Sequence, residues 1–256
     1  MDLELADRAY IVTGASRGLG LATARVLVSE GARVVLVARS EQALRAAVDE
    51  LGPSAVSVTA DLNEEWAAQA AVDRAVATFG RLDGALLSVG GPPPGRVMST
   101  TDEQWRSAFE SVFLACVRMA RAVCSGITAT DRATTGSVAW VLSTSAVEVF
   151  TGLAASNGFR PGLAMLIKDL SDEVGPTGIR VNGLLPGRIA TDRIAELDAA
   201  TGDADAARTR ASAAIPLRRY GMPEEFGRVA AFVLSPAASY VTGTLVRVDG
   251  GITRQP

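Results

Sequence analysis

The run Thr13-Gly14-Ala15-Ser16-Arg17-Gly18-Leu19-Gly20 constrains this chain most, because it lies between an apolar strand pattern and an amphipathic helical one. Residues 9–12 read as a short buried strand. Residues 19–30 read as a helix with Leu19, Ala22, Val26 and Leu27 on one face. Glycine lets the backbone turn tightly and approach a ligand closely, and the helix that follows offers free N–H groups to an anion. Thr13, Gly14, Ser16, Arg17, Gly18, Leu19 and Gly20 are therefore candidate contacts for the pyrophosphate of a dinucleotide.

The alternation continues to the C-terminus. Further strands are expected at 33–37, 56–59, 84–88, 137–142, 179–184 and 244–248. Helices are expected at 41–51, from an Asn63 cap to Phe79, from a Thr101–Gln104 capping box to about Val123, and at 156–174. Pro161-Gly162 should interrupt the last of these near its start. Residues 191–214, charged and rich in alanine, read as a mobile helical flap. Aromatic residues make up only 5% of the chain, so its core must be Val, Leu, Ile and Ala, as in parallel strands covered on both sides. The expected fold is α/β, a Rossmann-type three-layer sandwich in one domain, with a mostly parallel seven-stranded sheet.

The chain has no histidine, which excludes a Ser-His-Asp triad, a zinc hydrolase of the usual kind and a histidine-based dehydrogenase. No metal site is expected. A net charge of -3 with no block of like charges gives no reason to expect a nucleic-acid partner. Cys116 and Cys124 share one apolar stretch and offer no disulfide framework, so a cytoplasmic setting is the default expectation. The acidic start lacks the pattern of a secretory signal, and no run of eighteen apolar residues announces a membrane span.

At the tip of the second strand, Val37-Ala38-Arg39-Ser40 supplies a cation where an acid would grip a free ribose 2′-hydroxyl. Arg39 and Arg17 together favour a 2′-phosphate, hence NADP(H), with NAD(H) as runner-up. Asp61, followed by Leu62, ends the third strand, where it either accepts a bond from the adenine amino group or caps the next helix.

These features extend to residues 83–90 at the end of the fourth strand, to Pro186-Gly187-Arg188-Ile189-Ala190-Thr191, and to residues 218–251 with Gly221, Pro223, Glu224, Gly243 and Asp249-Gly250-Gly251. Over nearly all its length the chain thus resembles the short-chain dehydrogenase/reductase family, particularly its 3-oxoacyl-[acyl-carrier-protein] reductases. The resemblance implies that Gly90, Pro186, Gly187, Ile189 and Thr191 stand near the nicotinamide end. It also implies a small-molecule substrate and a homotetramer, with a homodimer as runner-up.

The catalytic pattern of the family carries over only in part. Val112 stands where the family has an asparagine, and Ser143 matches its serine, with Ser145 two residues away. Leu153 falls on the tyrosine and Asn157 on the lysine of Tyr-x-x-x-Lys. Leucine carries no titratable proton, and asparagine can bond a ribose hydroxyl without supplying charge. The candidate catalytic residues are therefore Ser143, Asn157, Arg160 and Arg188. Arg160 stands one turn beyond Asn157, and Arg188 either stabilises an oxyanion or pairs with Asp192 or Glu196 to hold the flap. Glu148 is a further candidate acid. The expected function is an NADP-dependent oxidoreductase for a carbonyl or hydroxyl substrate with an unusual site. Its rivals are a non-redox isomerase, dehydratase or cyclase, and a catalytically silent cofactor-binding subunit.

Overall fold

The computed structural model describes residues 1–129 and 135–255. Seven strands form one sheet: β1 (Ala9–Thr13), β2 (Arg33–Ala38), β3 (Ala55–Thr59), β4 (Gly84–Leu87), β5 (Gly136–Val141), β6 (Ile179–Pro186) and β7 (Leu245–Val248). Their order is β3-β2-β1-β4-β5-β6-β7, and every neighbouring pair is parallel. The chain crosses from one half of the sheet to the other between β1 and β4, which leaves a crevice at the carboxyl ends of those strands.

Residues alternate between two apolar layers, as the two-residue period of a strand requires. Ile11 faces a layer built with helices α3 (Glu65–Phe79), α5 (Ala115–Ala129) and α6 (Ala154–Val174). Its neighbours Tyr10 and Val12 face the other layer, with α1 (Gly18–Ser29), α2 (Glu41–Leu51) and α9 (Pro223–Leu234). Both layers are dominated by aliphatic side chains, as the scarcity of aromatics requires.

Helix α4 (Asp102–Ala108) opens on the expected Thr101–Gln104 capping box and passes through a π-helical turn, Phe109–Leu114, into α5. The run Asp102–Ala129 is long and apolar enough to cross a membrane by length and composition alone, a test that the core helix of a globular fold also passes. Half of its most apolar eighteen-residue window is buried, however, and Val112, Cys116, Met119 and Val123 belong to the core. Burial pushes the Cys116 thiol up to about 11.

Two local expectations need correction. Glu64, not Asn63, precedes the first turn of α3, because the Asn63 N–H is turned back to the Asp61 carboxylate at 3.0 Å. Pro161 does not interrupt α6, which runs from Ala154 straight through it. The segment 191–214 is two helices, α7 (Asp192–Ala199) and α8 (Ala204–Ala214).

Candidate active site

A cavity of about 960 Å³ occupies the crevice, and most of the predicted cofactor residues line it. Gly14, Ser16, Arg17, Gly18, Leu19 and Gly20 form one end, with Arg39, Asp61, Leu62 and Gly90 beside them. Pro186, Gly187, Ile189 and Thr191 also line it, and Thr191 meets the turn, since a Cβ on Gly18 would lie 3.7 Å from its methyl carbon. Gly14 and Gly18 both have φ +59°, the left-handed region that favours glycine. A Cβ on Gly20 would lie 2.5 Å from the Gly14 carbonyl oxygen, so the turn is closed tightly over the start of α1. Bare backbone, a helix N-terminus and adjacent guanidinium groups fit a dinucleotide pyrophosphate.

Thr13 is placed differently from expectation. It is fully buried, and its hydroxyl donates to the Ser88 carbonyl and accepts from the Ser88 N–H, both at 2.8 Å. It clamps the end of β1 to the end of β4 and supports the turn from beneath. Arg39 is exposed at the crevice, whereas Arg17 is shared with the flap, 3.0 Å from Asp192 and 3.9 Å from Glu196. Asp192 is thus taken by Arg17, and Glu196 is shared between Arg17 and Arg193, 3.8 Å from the latter. Arg188 pairs instead with Asp198 at 2.6 Å, which corrects its expected partners. Tyr220 donates its hydroxyl to the same carboxylate at 2.9 Å, and burial followed by this bond raises its pKa. Arg188 lines the cavity but is committed to anchoring α7.

The decisive correction concerns α6. Leu153, Ser156 and Arg160 all line the crevice, as residues spaced three and seven apart on one helical face should. Asn157 points elsewhere: its Oδ1 accepts from the Phe150 N–H at 3.2 Å and its Nδ2 donates to the Phe150 carbonyl at 2.8 Å. It closes the loop that precedes the helix and is not among the residues that line the crevice. The four-residue pair that faces the crevice is therefore Ser156/Arg160, not Leu153/Asn157. Ser156 was missed in the sequence, although a hydroxyl four residues before a cation was the available signal.

Ser156 and Ser145 share a hydrogen bond between hydroxyls at 2.8 Å, and the Ser145 N–H donates to Ser143 Oγ at 3.1 Å. Ser143 lines the crevice with Ser156, and Ser145 is buried behind them. Arg160 is only 4% exposed. Its Nη1 donates to the Val141 carbonyl at 2.7 Å, while its Nε finds no acceptor. Burial lowers its pKa from the usual arginine value, but a guanidinium keeps its proton in a protein. Glu148 lies outside the crevice lining and accepts from the Arg254 N–H at 3.4 Å, so it supplies no acid there. Val112 is fully buried. None of Tyr10, Tyr220 and Tyr240 lines the cavity.

A family model described as enoyl-(acyl carrier protein) reductase matches residues 14–253. The chain belongs to the short-chain dehydrogenase/reductase family. It is 34% identical to cis-4-hydroxycyclohexanecarboxylate dehydrogenase of Sinomonas cyclohexanicum, over 97% of each chain. L-Sorbose reductase of Gluconobacter frateurii, solved with NADPH and L-sorbose, superposes with a TM-score of 0.92 at 28% identity, over 100% of both chains. A short-chain oxidoreductase of Pseudomonas aeruginosa, described as containing an atypical catalytic centre, gives 0.90 at 27% identity, over 99% of this chain and 100% of that one. Members of this family are oxidoreductases that use NAD(P)(H), and the parallel sheet with its crevice is theirs.

Proposed function

We propose that the chain is an NADP(H)-dependent oxidoreductase of carbonyl or hydroxyl compounds whose site replaces the family's tyrosine and lysine with Ser156 and Arg160. The carrying observation is the buried Arg160 guanidinium, which opens with Ser156 and Ser143 onto the crevice that holds the phosphate turn. The NADPH complex of L-sorbose reductase supports the choice of cofactor, as does Arg39 at the tip of β2. The Pseudomonas relative supports departure from the usual site within this fold.

When bound, the dinucleotide supplies or accepts hydride. The residues of the chain have the remaining tasks. Gly14, Gly18 and Gly20 admit its phosphates, Arg39 meets the 2′-phosphate, and Asp61 and Leu62 flank the adenine. Pro186, Gly187, Ile189 and Thr191 fix the opposite end. Ser143 orients the reacting oxygen, and Arg160 supplies a fixed positive charge near it. Chain 1–256 acts as one cofactor-binding domain, with α7 and α8 as a flap held by Arg188–Asp198 and by Arg193, whose guanidinium donates to the Pro92 carbonyl at 2.7 Å.

NADPH labelled with deuterium at the transferring position is expected to deliver the label stereospecifically to the alcohol product of a carbonyl panel. Binding of NADPH without label transfer to any carbonyl would refute the redox reading. In the same assay Arg39→Asp should weaken NADPH relative to NADH by about tenfold or more, roughly 1.4 kcal/mol. An unchanged ratio would remove Arg39 from the 2′-phosphate.

We also propose a homotetramer, or a homodimer, built on α5 and α6. Phe109 and Met165 are exposed on this side, where Phe109 stacks on Phe113 at 5.3 Å and meets Phe159 at 5.9 Å. Sedimentation that shows only monomer at micromolar concentration would exclude it.

A further inference from the structure

Arg160 is a cation for which the described residues supply no anion. Among the described residues its side chain makes one hydrogen bond, to the neutral Val141 carbonyl, and no ion pair. A charge buried without a partner is among the most expensive arrangements a fold can hold, so its persistence points to a ligand that completes it. Around it the crevice offers hydroxyls, while among the other described arginines of its lining Arg17, Arg188 and Arg193 are each paired with a carboxylate and Arg39 stands at the tip of β2. Ser143 Oγ already accepts from a backbone N–H, which leaves its hydroxyl proton to be donated. Either hydroxyl of the Ser145–Ser156 pair can be the donor, so Ser156 can turn its proton outward while it accepts from Ser145. The nearby walls are apolar, formed by Phe150, Leu153 and Ile189.

We propose that Arg160, Ser156 and Ser143 form a binding site for a delocalised oxyanion, the phenolate or enolate oxygen of a planar conjugated substrate. The proposal rests on the functional reading above and adds the substrate class. A planar guanidinium matches an sp² oxygen with in-plane lone pairs, two hydroxyls complete its coordination, and the apolar walls receive the conjugated body. With Nη1 committed to the Val141 carbonyl and Nε buried, the guanidinium turns one nitrogen toward the crevice, which suits a single oxygen better than the two-pronged grip of a carboxylate.

The test uses the full chain and 4-nitrophenol, whose ionisation is read by absorbance, with and without saturating NADP. Bound nitrophenol is expected to ionise about one pH unit or more below the free compound, a tenfold preference for the phenolate. Arg160→Met should abolish the shift, Arg160→Lys should retain part of it, and Ser156→Ala should reduce it. Circular dichroism establishes that each variant is folded. An unshifted wild type overturns the proposal, and so does a folded Arg160→Met that keeps the full shift. A third overturning result is a variant that loses only NADP affinity, since Arg160 would then merely seat the cofactor. Benzoate binding that depends on Arg160 with no nitrophenol shift would assign the site to carboxylates instead. Absence of the shift with label transfer intact sinks this proposal alone. A shift without NADPH binding sinks the functional reading alone.

Discussion

Gly20→Ala is expected to weaken NADPH binding by about 100-fold, close to 2.7 kcal/mol, and to lower the melting temperature by about 5 °C. The added Cβ would lie 2.5 Å from the Gly14 carbonyl oxygen and 2.9 Å from both the Gly14 carbonyl carbon and the Thr13 oxygen. All three are backbone atoms, so no side chain can swing aside. Gly14 has little room to yield, because the space on its own Cβ side ends at the Ser88 carbonyl oxygen, 2.6 Å away. Thr13 is fixed to Ser88 by two hydrogen bonds. The turn must therefore open, and overpacking of this kind typically destabilises by about 1–3 kcal/mol. Opening also moves the N–H groups that would meet the pyrophosphate. Gly175→Ala is the control, since nothing lies within 4 Å of its added carbon and its φ is -53°. Fluorescence titration and calorimetry on both variants check the result. Wild-type NADPH affinity in Gly20→Ala would show that the turn does not touch the cofactor.

The turn was legible because its chemistry is local: a strand, glycines at fixed offsets and a helix follow one another within twenty residues. The parallel sheet was legible for a similar reason, since apolar runs of strand length alternate with helical periods. The register of α6 was not. The stretch between β5 and α6 has no periodic pattern to count from, and a displacement of three residues turns a helix by about 300°. Leu153/Asn157 and Ser156/Arg160 have the same spacing, and only the fold shows which pair turns inward. Pro161 concealed the answer further. Proline normally breaks a helix interior, so Arg160 read as the last residue before a break, whereas it lies well inside the helix. The partner of Arg188 was missed for a different reason: Asp192 and Glu196 are nearer in sequence, but Asp198 is the buried acid that also meets Tyr220. Charge patterns identify available partners without deciding among them.

Arg160→Met should separate stability from function. Removing a catalytic cation is ordinarily expected to lower activity and leave stability unchanged or reduced. Here the wild-type charge is buried, lacks a carboxylate and leaves its Nε unbonded. Its desolvation penalty is on the order of several kcal/mol. The one bond to Val141 returns about 1.5–3 kcal/mol, as hydrogen bonds to charged groups do. Methionine has a flexible apolar side chain suited to filling the vacated space, at the expense of one Val141 acceptor. The ligand-free variant should therefore melt higher than wild type, with a gain of about 1–3 kcal/mol, while label transfer to carbonyl substrates falls by about 100-fold or more. Calorimetry in the absence of dinucleotide and single-turnover label transfer measure the two sides. A lower melting temperature would mean that the guanidinium is a structural strut whose single hydrogen bond outweighs its desolvation, and activity would then fall only because the crevice deforms. A higher one with activity lost identifies a strained cation kept in the fold for what it binds.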